Sequence, residues 1–355
     1  MLSKLVLAIT LGLAAVNAQS TFQFQETYPE SYVVPTPKPE WLELISNVTI
    51  TDAPIIQQSA DGVLQQPTGV TGDPNCVWTF TQCLQPDDLY TCPPGKWSVT
   101  FDDGPSADTP RLLEYLKSVN QKVTFFIVGT QVKEFPLILR EAYDQGHEIA
   151  MHSWSHSYMT TLTNEELVGE LKWNEQIIKE VIGVSPKYFR PPFGNIDNRV
   201  RDICKALGFT PVIWSTDTND WYLTEHADTF QVDWIKGNIT EWAATNTTTG
   251  GMSLSHDLYN VTVDAAIEYM PTFMESFELE TVGQCNNQQA YKEGAGNING
   301  TTAQPSASVS ASSSAASSDS TVAAQDADGE SSATWLTTNS FLVTASIAAI
   351  TYFNI

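Results

Sequence analysis

From residue 97 onward, short apolar runs of strand type alternate with longer stretches of helical periodicity. The runs expected to form strands cover residues 97–101, 123–128, 148–151, 188–190, 210–214 and 251–255. The expected helices cover residues 109–120, 131–145, 164–182, 198–207 and 263–277. Strands that alternate with helices pair in parallel, because each helix carries the chain back across the sheet. The sequence therefore predicts an α/β fold whose parallel sheet is open or closed into a barrel.

Two adjacent carboxylates, Asp102 and Asp103, end the first expected strand in the string Thr-Phe-Asp-Asp-Gly-Pro. Successive side chains of a strand point to opposite faces, so one carboxylate is expected to bind a metal while the other meets a water. His152 and His156 follow the third expected strand, and at a separation of four they can face one centre. One carboxylate with two imidazoles suits Zn²⁺ or a similar divalent ion and leaves a coordination position open. We therefore interpret the chain as a metallohydrolase.

Three further polar segments, residues 190–194, 217–221 and 254–257, also follow expected strands. In isolation each has a structural explanation: a proline turn, a core indole and a hydrogen-bonded core histidine. Parallel α/β folds, however, place their active sites where the carboxyl ends of the strands meet. All five segments are therefore expected to lie at one rim and to form one site.

In this order the five segments resemble the polysaccharide deacetylase family (the NodB homology domain, carbohydrate esterase family 4), most closely the fungal chitin deacetylases. The resemblance covers about residues 92–285 and rests on T-F-D-D-G-P, H-S-W-S-H, R-P-P-F, D-T-N-D-W and L-S-H. It implies a distorted (β/α) barrel and metal-dependent removal of acetyl groups from N-acetylglucosamine polymers. The implied cofactor is one divalent ion, Zn²⁺ or Co²⁺.

The resemblance also implies a role for each matching residue. Asp103, His152 and His156 are expected to hold the metal, Asp102 to act as the base and His256 as the acid. A water near the ion would lose its proton to the base, and the leaving amine would receive a proton from the acid.

Other matching positions are expected to support this chemistry. The backbone amide of Phe193 is expected to face the oxyanion, so that Phe193 and Asp102 form the acetate-binding site. Arg190 would orient a carboxylate, Trp221 and Leu254 would line the pocket for the acetyl methyl group, and one aspartate would keep His256 charged. The two candidates for that last role, between which the sequence does not decide, are Asp217 and Asp220.

Two other functions remain open for such a chain. Ester and amide hydrolysis pass through the same kind of intermediate, so an O-acetyl esterase of the xylan type is the alternative enzyme. A wall protein that keeps the fold for carbohydrate binding without catalysis is the alternative from another class. Loss of catalysis usually removes the base, the acid or a metal ligand, and all of these residue types are present here, which favours the enzyme.

The ends of the chain carry targeting patterns. Residues 1–18 predict a secretory signal peptide, residues 19–72 a proline-rich linker or surface wrap, and residues 73–290 the catalytic domain. Residues 291–332 read as a Ser/Thr/Ala-rich linker. The apolar tail in residues 333–355 predicts a glycosylphosphatidylinositol (GPI) attachment signal with the attachment residue within 326–332, and a weak transmembrane helix is the alternative. The expected location is therefore the outer face of the plasma membrane and the cell wall.

Five N-x-[ST] sequons agree with passage through a glycosylating secretory pathway. They lie at Asn47, Asn238, Asn246, Asn260 and Asn299. A formal net charge of −24 argues against nucleic acid and anionic membrane surfaces as partners. The expected partner is chitin or a chitooligosaccharide, with membrane contact only through the lipid anchor; no protein partner is implied.

Five cysteines form at most two disulfides in an oxidising compartment. Cys204 lies in a helical pattern where a small thiol packs well, and we expect it to be the free one. The pairing we take is Cys76 with Cys83 and Cys92 with Cys285. The second pair would tie the start of the catalytic domain to its end.

Overall fold

The computed structural model of the protein describes residues 22–67, 69, 71–226, 228–245 and 248–294. The expected signal peptide, the expected anchoring segment and almost all of the expected linker lie outside these residues, as do Asn246 and Asn299. Within the part described, no helix is both long enough and apolar enough to cross a membrane.

Strands are named here in chain order, over the described residues only. They are β1 (Gln57–Gln58), β2 (Leu64–Gln65), β3 (Lys96–Asp102), β4 (Thr124–Ile127), β5 (Glu148–Met151), β6 (Tyr188–Phe189), β7 (Thr210–Pro211), β8 (Thr216–Asp217), β9 (Gly251–His256) and β10 (Glu278–Leu279).

The α-helices are named in the same way. They are α1 (Pro39–Leu42), α2 (Trp78–Thr81), α3 (Thr109–Ser118), α4 (Gly129–Glu134), α5 (Pro136–Asp144), α6 (Asn164–Ile182), α7 (Asn198–Ala206), α8 (Tyr222–Glu225), α9 (Val232–Thr245), α10 (Asn260–Ser276) and α11 (Val282–Cys285). Short 3₁₀ turns lie at Glu43–Ile45, Met159–Thr161 and Pro192–Gly194.

The main sheet is parallel and curls into a half-barrel with helices packed around it. Its strand order is β7-β6-β5-β4-β3-β9-β8, and β10 pairs with the start of β3. Six of the seven residues of β3 are buried, as expected for a central parallel strand that is covered on both faces. The predicted distorted (β/α) barrel is confirmed.

Two expected elements have different bounds in the structure. The predicted helix over residues 131–145 is two helices, because Pro136 has no N–H to continue α4 and begins α5 instead. Phe135 lies between them with φ −124° and ψ 51°. The predicted strand over residues 210–214 ends at Pro211, since the N–H of Ile213 bonds to the carbonyl of Leu89 rather than to β6.

Three elements between β7 and β9 were missed from the sequence: β8, α8 and α9. Helix α9 buries Ile235 and Ile239, and the ring of Trp242 stacks on Trp97 at 5.6 Å between centroids. Together with Val232, these residues have helical spacing, so the signal for α9 was present although one sequon and a glycine interrupt it.

Residues 22–56, called here the N-terminal strap, pack across the outer side of α6. Tyr28 stacks on Trp154 with ring centroids 5.9 Å apart, and the indole N–H of Trp154 donates to the carbonyl of Glu30 at 3.1 Å. The indole N–H of Trp173 donates to the carbonyl of Thr36 at 2.9 Å. The strap therefore completes the hydrogen bonding of two indoles that the domain would otherwise expose.

Both expected disulfides are present. Cys76 pairs with Cys83 and Cys92 pairs with Cys285, while Cys204 is free and buried. The Cys92–Cys285 bridge joins the chain just before β3 to α11, so it closes the domain as expected from the sequence.

Candidate metal centre and active site

The sequence-predicted site residues come together at the carboxyl-terminal rim of the half-barrel. Asp102 ends β3 and lies in register with His256 at the end of β9. His152 directly follows β5 and Arg190 directly follows β6. This rim is where parallel α/β folds place ligands, because loops that follow adjacent strands converge there.

Asp103, His152 and His156 form one cluster of potential metal donors. The Oδ1 atom of Asp103 lies 3.4 Å from Nε2 of His152 and 3.1 Å from Nε2 of His156, and the three donor atoms lie within 4.8 Å of one another. That oxygen is buried and has no hydrogen-bond partner among the described residues. A buried carboxylate oxygen without a donor, facing two imidazole nitrogens, fits a divalent cation of the zinc class.

The local backbone explains how the donors converge. Asp103 has φ 77°, Ser153 φ 63° and His156 φ 63°, all in the left-handed region that side chains other than glycine rarely adopt. We expected Asp102 and Asp103 to point to opposite faces, but β3 ends at Asp102 and the left-handed turn at Asp103 swings its carboxylate back. Both carboxylates therefore approach His152, with Oδ2 of Asp102 at 3.8 Å from its Nε2.

Asp102 is held in place by a fully buried arginine. Nη1 of Arg190 donates to Oδ1 of Asp102 at 2.8 Å and to Oγ1 of Thr100, and Nη2 donates to the carbonyl of Ile213 at 3.3 Å. Arg190 is 0% exposed and Asp102 1%. Burial lowers the pKa of the guanidinium, although the Asp102 carboxylate opposes that shift. Asp102 is therefore a fixed carboxylate whose other oxygen faces the donor cluster.

His152 is oriented by the backbone of the same arginine. Its Nδ1 lies 2.8 Å from the carbonyl oxygen of Arg190, so Nδ1 carries the proton that this hydrogen bond needs. In the neutral imidazole, Nε2 is then the nitrogen that can bind a metal, and it points toward Asp103. Metal-binding histidines are oriented in this way by hydrogen bonds from their second nitrogen.

Charges in the cluster act on one another. Burial disfavours the charged form of Asp103, but the positive charge of His156 and the close approach of both histidines outweigh it, and the pKa of Asp103 is held well below its usual range. For His156, burial acts to lower the pKa, and Asp103 reverses this and raises it. Asp103 is therefore ionised, and its carboxylate is available to bind a cation.

His256 is paired with Asp220, which answers the choice that the sequence left open. Oδ1 of Asp220 lies 2.7 Å from Nδ1 of His256, and Oδ2 accepts the backbone N–H of the same histidine at 2.8 Å. Burial acts to lower the pKa of His256, but the charge and hydrogen bond of Asp220, followed by Asp103 and Asp102, raise it to about 10. The imidazolium form is therefore the stable one at neutral pH.

Asp217 lies beside this pair but does not bond to it. Its Oδ1 accepts the N–H of Asn219 at 2.7 Å, and burial raises its pKa to about 6. Trp221 is 38% exposed, whereas Leu254 is 6% exposed and shares a face of β9 with His256. These positions lie near the His256–Asp220 pair.

Phe193 follows the two prolines after Arg190 and has φ 59° and ψ 15°. Phe193 is 46% exposed; its ring stacks on Tyr158 with centroids 4.2 Å apart and meets the ring of His156 edge-on at 4.6 Å. A Cβ on the next residue, Gly194, would lie 2.3 Å from the ring of Trp78, so only glycine fits beneath this turn. The turn places the Phe193 backbone beside a candidate metal ligand.

Some residues around the site were not predicted from the sequence. Thr100 accepts a hydrogen bond from Arg190, and its position two residues before Asp102 on the same strand face was the available signal. Asp257 follows His256 directly; its Oδ2 accepts the Thr109 hydroxyl at 2.6 Å, and burial raises its pKa to about 7. No spacing pattern in the sequence pointed to this second carboxyl.

The chain is similar to known proteins. The family model for polysaccharide deacetylases matches residues 90–212. Chitin deacetylase 2 of Saccharomyces cerevisiae is 34% identical over 269 residues, which cover 72% of this chain and 84% of the yeast protein. The chain belongs to the polysaccharide deacetylase family. Chitin deacetylase 1 of Cryptococcus neoformans var. grubii is 39% identical over 244 residues, 63% of this chain and 52% of that protein.

The chain matches only part of some relatives, and its fold is similar to that of a solved deacetylase. The chain spans little more than half the length of several curated relatives that it matches, with 52% and 58% covered in two of them. The solved chitin deacetylase of Colletotrichum lindemuthianum aligns with a TM-score of 0.52 at 24% identity, over 58% of this chain and 95% of that one. This likeness supports the polysaccharide deacetylase fold that the strand order describes.

Proposed function

We propose that this protein is a metal-dependent hydrolase that removes acetyl groups from N-acetylglucosamine residues of chitin, giving chitosan and acetate. One observation carries the proposal: two hydrogen-bonded charge pairs lie at the same rim as the donor cluster. Asp102 is paired with Arg190, and His256 is paired with Asp220. Hydrolysis of an amide needs both a base for the water and an acid for the nitrogen, and such sites separate them by environment.

Asp103, His152 and His156 would hold the ion. When bound there, a divalent ion supplies Lewis acidity toward an acyl oxygen and lowers the pKa of water from 15.7 toward about 7. We assign Zn²⁺ or Co²⁺ because one carboxylate with two imidazoles is a donor set that both ions accept.

Asp102 would accept the proton of the attacking water. Its Oδ1 is occupied by Arg190, so Oδ2, which faces the histidines, is the oxygen left for this task. The buried guanidinium holds the carboxylate in one orientation. Proton transfer by a positioned group of this kind contributes roughly 10²- to 10⁴-fold in rate.

His256 would donate a proton to the leaving nitrogen. An amine leaves poorly as an anion, and His256 is held in its protonated form by Asp220. The N–H of Phe193 would donate to the oxyanion, and one such donor is typically worth roughly 10²- to 10³-fold. Trp221 and Leu254 would border the acetyl methyl group.

The remaining sequence expectations are part of the same proposal. Secretion, a GPI anchor and the domain boundaries are supported by the targeting patterns at the two ends of the chain. Of the sequons in described residues, Asn47 and Asn260 are exposed and Asn238 is partly exposed, which supports their glycosylation. The fungal names of the relatives support action at the cell wall.

Acetate release tests the proposal. Purified protein is assayed on N-acetylglucosamine oligomers and on acetylated xylan, first as isolated, then after chelation, and again after Zn²⁺ or Co²⁺ is returned. We expect release from the oligomers, loss on chelation and recovery with the ion. His152→Gln should abolish metal binding and activity, while His226→Gln, at an exposed histidine outside the donor cluster, should keep both. Activity that survives complete metal removal would refute the mechanism, and preference for xylan would favour the esterase.

A further inference from the structure

The loop that carries both candidate metal-binding histidines is supported by a buried carboxylate outside all five sequence motifs. Glu170 lies in the second turn of α6 and is 0% exposed. Its Oε2 accepts the backbone N–H of Trp154 at 2.8 Å and that of Ser155 at 2.9 Å, and its Oε1 accepts the Ser155 hydroxyl. All three donors belong to the segment between His152 and His156.

A second residue of α6 bonds the same loop. Asn174 is one helical turn further along and therefore lies on the same face. Its side-chain amide donates to the carbonyl of Ser153 and, at 2.9 Å, to that of Ile127 at the end of β4. Glu170 thus binds the N–H groups of the loop, and Asn174 binds a carbonyl of it.

This support is needed because the loop is strained. Ser153 and His156 both have φ 63°, a conformation that costs energy for residues other than glycine and persists only where the surroundings determine it. Ser153 in the left-handed region turns the next two N–H groups toward one point, which makes a concave anion site. The Glu170 carboxylate fills that site.

The electrostatics indicate that Glu170 serves this loop rather than a salt bridge. Among the described residues, no lysine, arginine or histidine forms an ion pair with it, so the loop donors are what offsets its burial, although burial still raises its pKa. A buried carboxylate is unfavourable unless its oxygens are hydrogen-bonded. Removing the Glu170 carboxylate therefore leaves the buried N–H groups of the loop without an acceptor, and removing those N–H groups leaves the carboxylate without donors.

We propose that Glu170 is a positioning residue that fixes the distance between His152 and His156 and thereby sets the metal affinity of the site. The inference rests on the proposed metal centre and extends it to a residue that does not contact the ion. Partners that orient metal ligands typically change metal affinity by about 10- to 100-fold when they are mutated. A loss in that range is the effect we expect.

The experiment measures Zn²⁺ affinity by competition with a chromophoric chelator, and the Co²⁺ absorption spectrum as a report of coordination geometry. Glu170→Ala should weaken Zn²⁺ binding by about 10- to 100-fold and change the Co²⁺ spectrum. Glu170→Gln keeps an acceptor for both N–H groups and should retain most of the affinity. Glu175→Ala is the matched control, since Glu175 is a buried carboxylate of the same helix that pairs with Lys172 and Lys292 instead.

The outcomes are distinct. Unchanged affinity and spectrum in Glu170→Ala, or an equal loss in Glu175→Ala, would overturn the inference. Failure of the unaltered protein to bind any divalent ion would overturn both the inference and the proposed metal centre. If Glu170→Ala does not fold, Glu170→Asp decides the matter, because its carboxylate is one methylene short of the loop. That variant should lose affinity, and retention of it would also overturn the inference.

Discussion

Replacing Asp220 by Asn tests the acid side of the site most directly. Asp220 is 0% exposed and uses both oxygens on one residue: Oδ1 on Nδ1 of His256 and Oδ2 on its backbone N–H. An asparagine has a single carbonyl oxygen and an NH₂ group that cannot accept. One of the two His256 donors must therefore face a second donor.

The expected magnitude follows from which donor is lost. If the amide oxygen stays on the backbone N–H, the NH₂ group meets Nδ1, and His256 is forced into its neutral form with the proton on Nε2. If the oxygen moves to Nδ1, a buried N–H is left unsatisfied, which costs about 1–3 kcal/mol. In both cases the negative charge that favours the imidazolium is gone. Loss of a general acid lowers kcat by about 10²- to 10⁴-fold, or about 2.7–5.4 kcal/mol in the activation barrier.

The pH dependence of kcat is a second test of the Asp220→Asn change. Burial alone would lower the pKa of His256, and Asp220 is the main cause of its rise to about 10. Because the acid must be protonated, activity is present below this pKa and is lost as pH rises through it. A cation at Asp103 adds positive charge, so the alkaline limit of the loaded enzyme should lie below pH 10. Without the Asp220 charge, that limit should move to still lower pH.

The assay is a kcat–pH profile for acetate release from chitin oligomers, measured alongside Asp217→Asn. That variant removes a neighbouring carboxylate but leaves both His256 hydrogen bonds, so its kcat should fall far less. Asp220→Asn with the kcat and alkaline limit of the unaltered protein would refute the assignment of His256 as the acid. A loss confined to KM would refute it as well.

Three further changes test other parts of the structure. Asp102→Asn should leave the metal bound but abolish acetate release, and it should also lower Tm because buried Arg190 loses its charged partner. Metal analysis, an activity assay and a thermal scan measure these effects. An active variant would contradict the assignment of Asp102 as the base. Burial raises the pKa of Glu148 to about 7, so its contribution to stability is complete below about pH 4.5 and is lost as pH rises through 7. In urea titrations, the free energy of unfolding of Glu148→Gln should therefore rise by up to about 3 kcal/mol relative to that of the unaltered protein between pH 4.5 and pH 8. The same pH dependence in both proteins would contradict this prediction. Removing the Cys92–Cys285 disulfide, whose cysteines are 193 residues apart, should lower the free energy of unfolding by about 5 kcal/mol. Removing the Cys76–Cys83 disulfide, with a separation of 7, should lower it by about 2 kcal/mol. Equal losses in urea titrations would contradict the argument from loop entropy.

The sequence was informative wherever chemistry and secondary structure followed the same short pattern. The apolar run before Asp102, for example, predicted both a buried strand and the position of the carboxylate at its end. The same run did not predict the direction of the Asp103 side chain, because the left-handed backbone angle at Asp103 belongs to the folded turn and does not follow from strand alternation. The same limit applies to Phe193, whose conformation depends on the packing of Trp78 against Gly194.

Long-range partners were the other feature that local patterns did not provide. The choice between Asp217 and Asp220 depends on where the chain crosses from β7 to β8, and that crossing was not predicted. Glu170 sits in a helix whose residues 164–182 were predicted correctly, yet its role depends on a loop that precedes the helix. Pair contacts of this kind require the three-dimensional arrangement of elements that are separately easy to predict.

The N-terminal strap has a practical consequence for producing the protein. The family model begins at residue 90, so a fragment cut at that boundary would lack Tyr28, Glu30 and Thr36. Trp154, which lies between His152 and His156, and Trp173 would then expose apolar indole faces to water. Such a fragment is expected to aggregate and to lose its ion readily, so recombinant protein should start at or before residue 22.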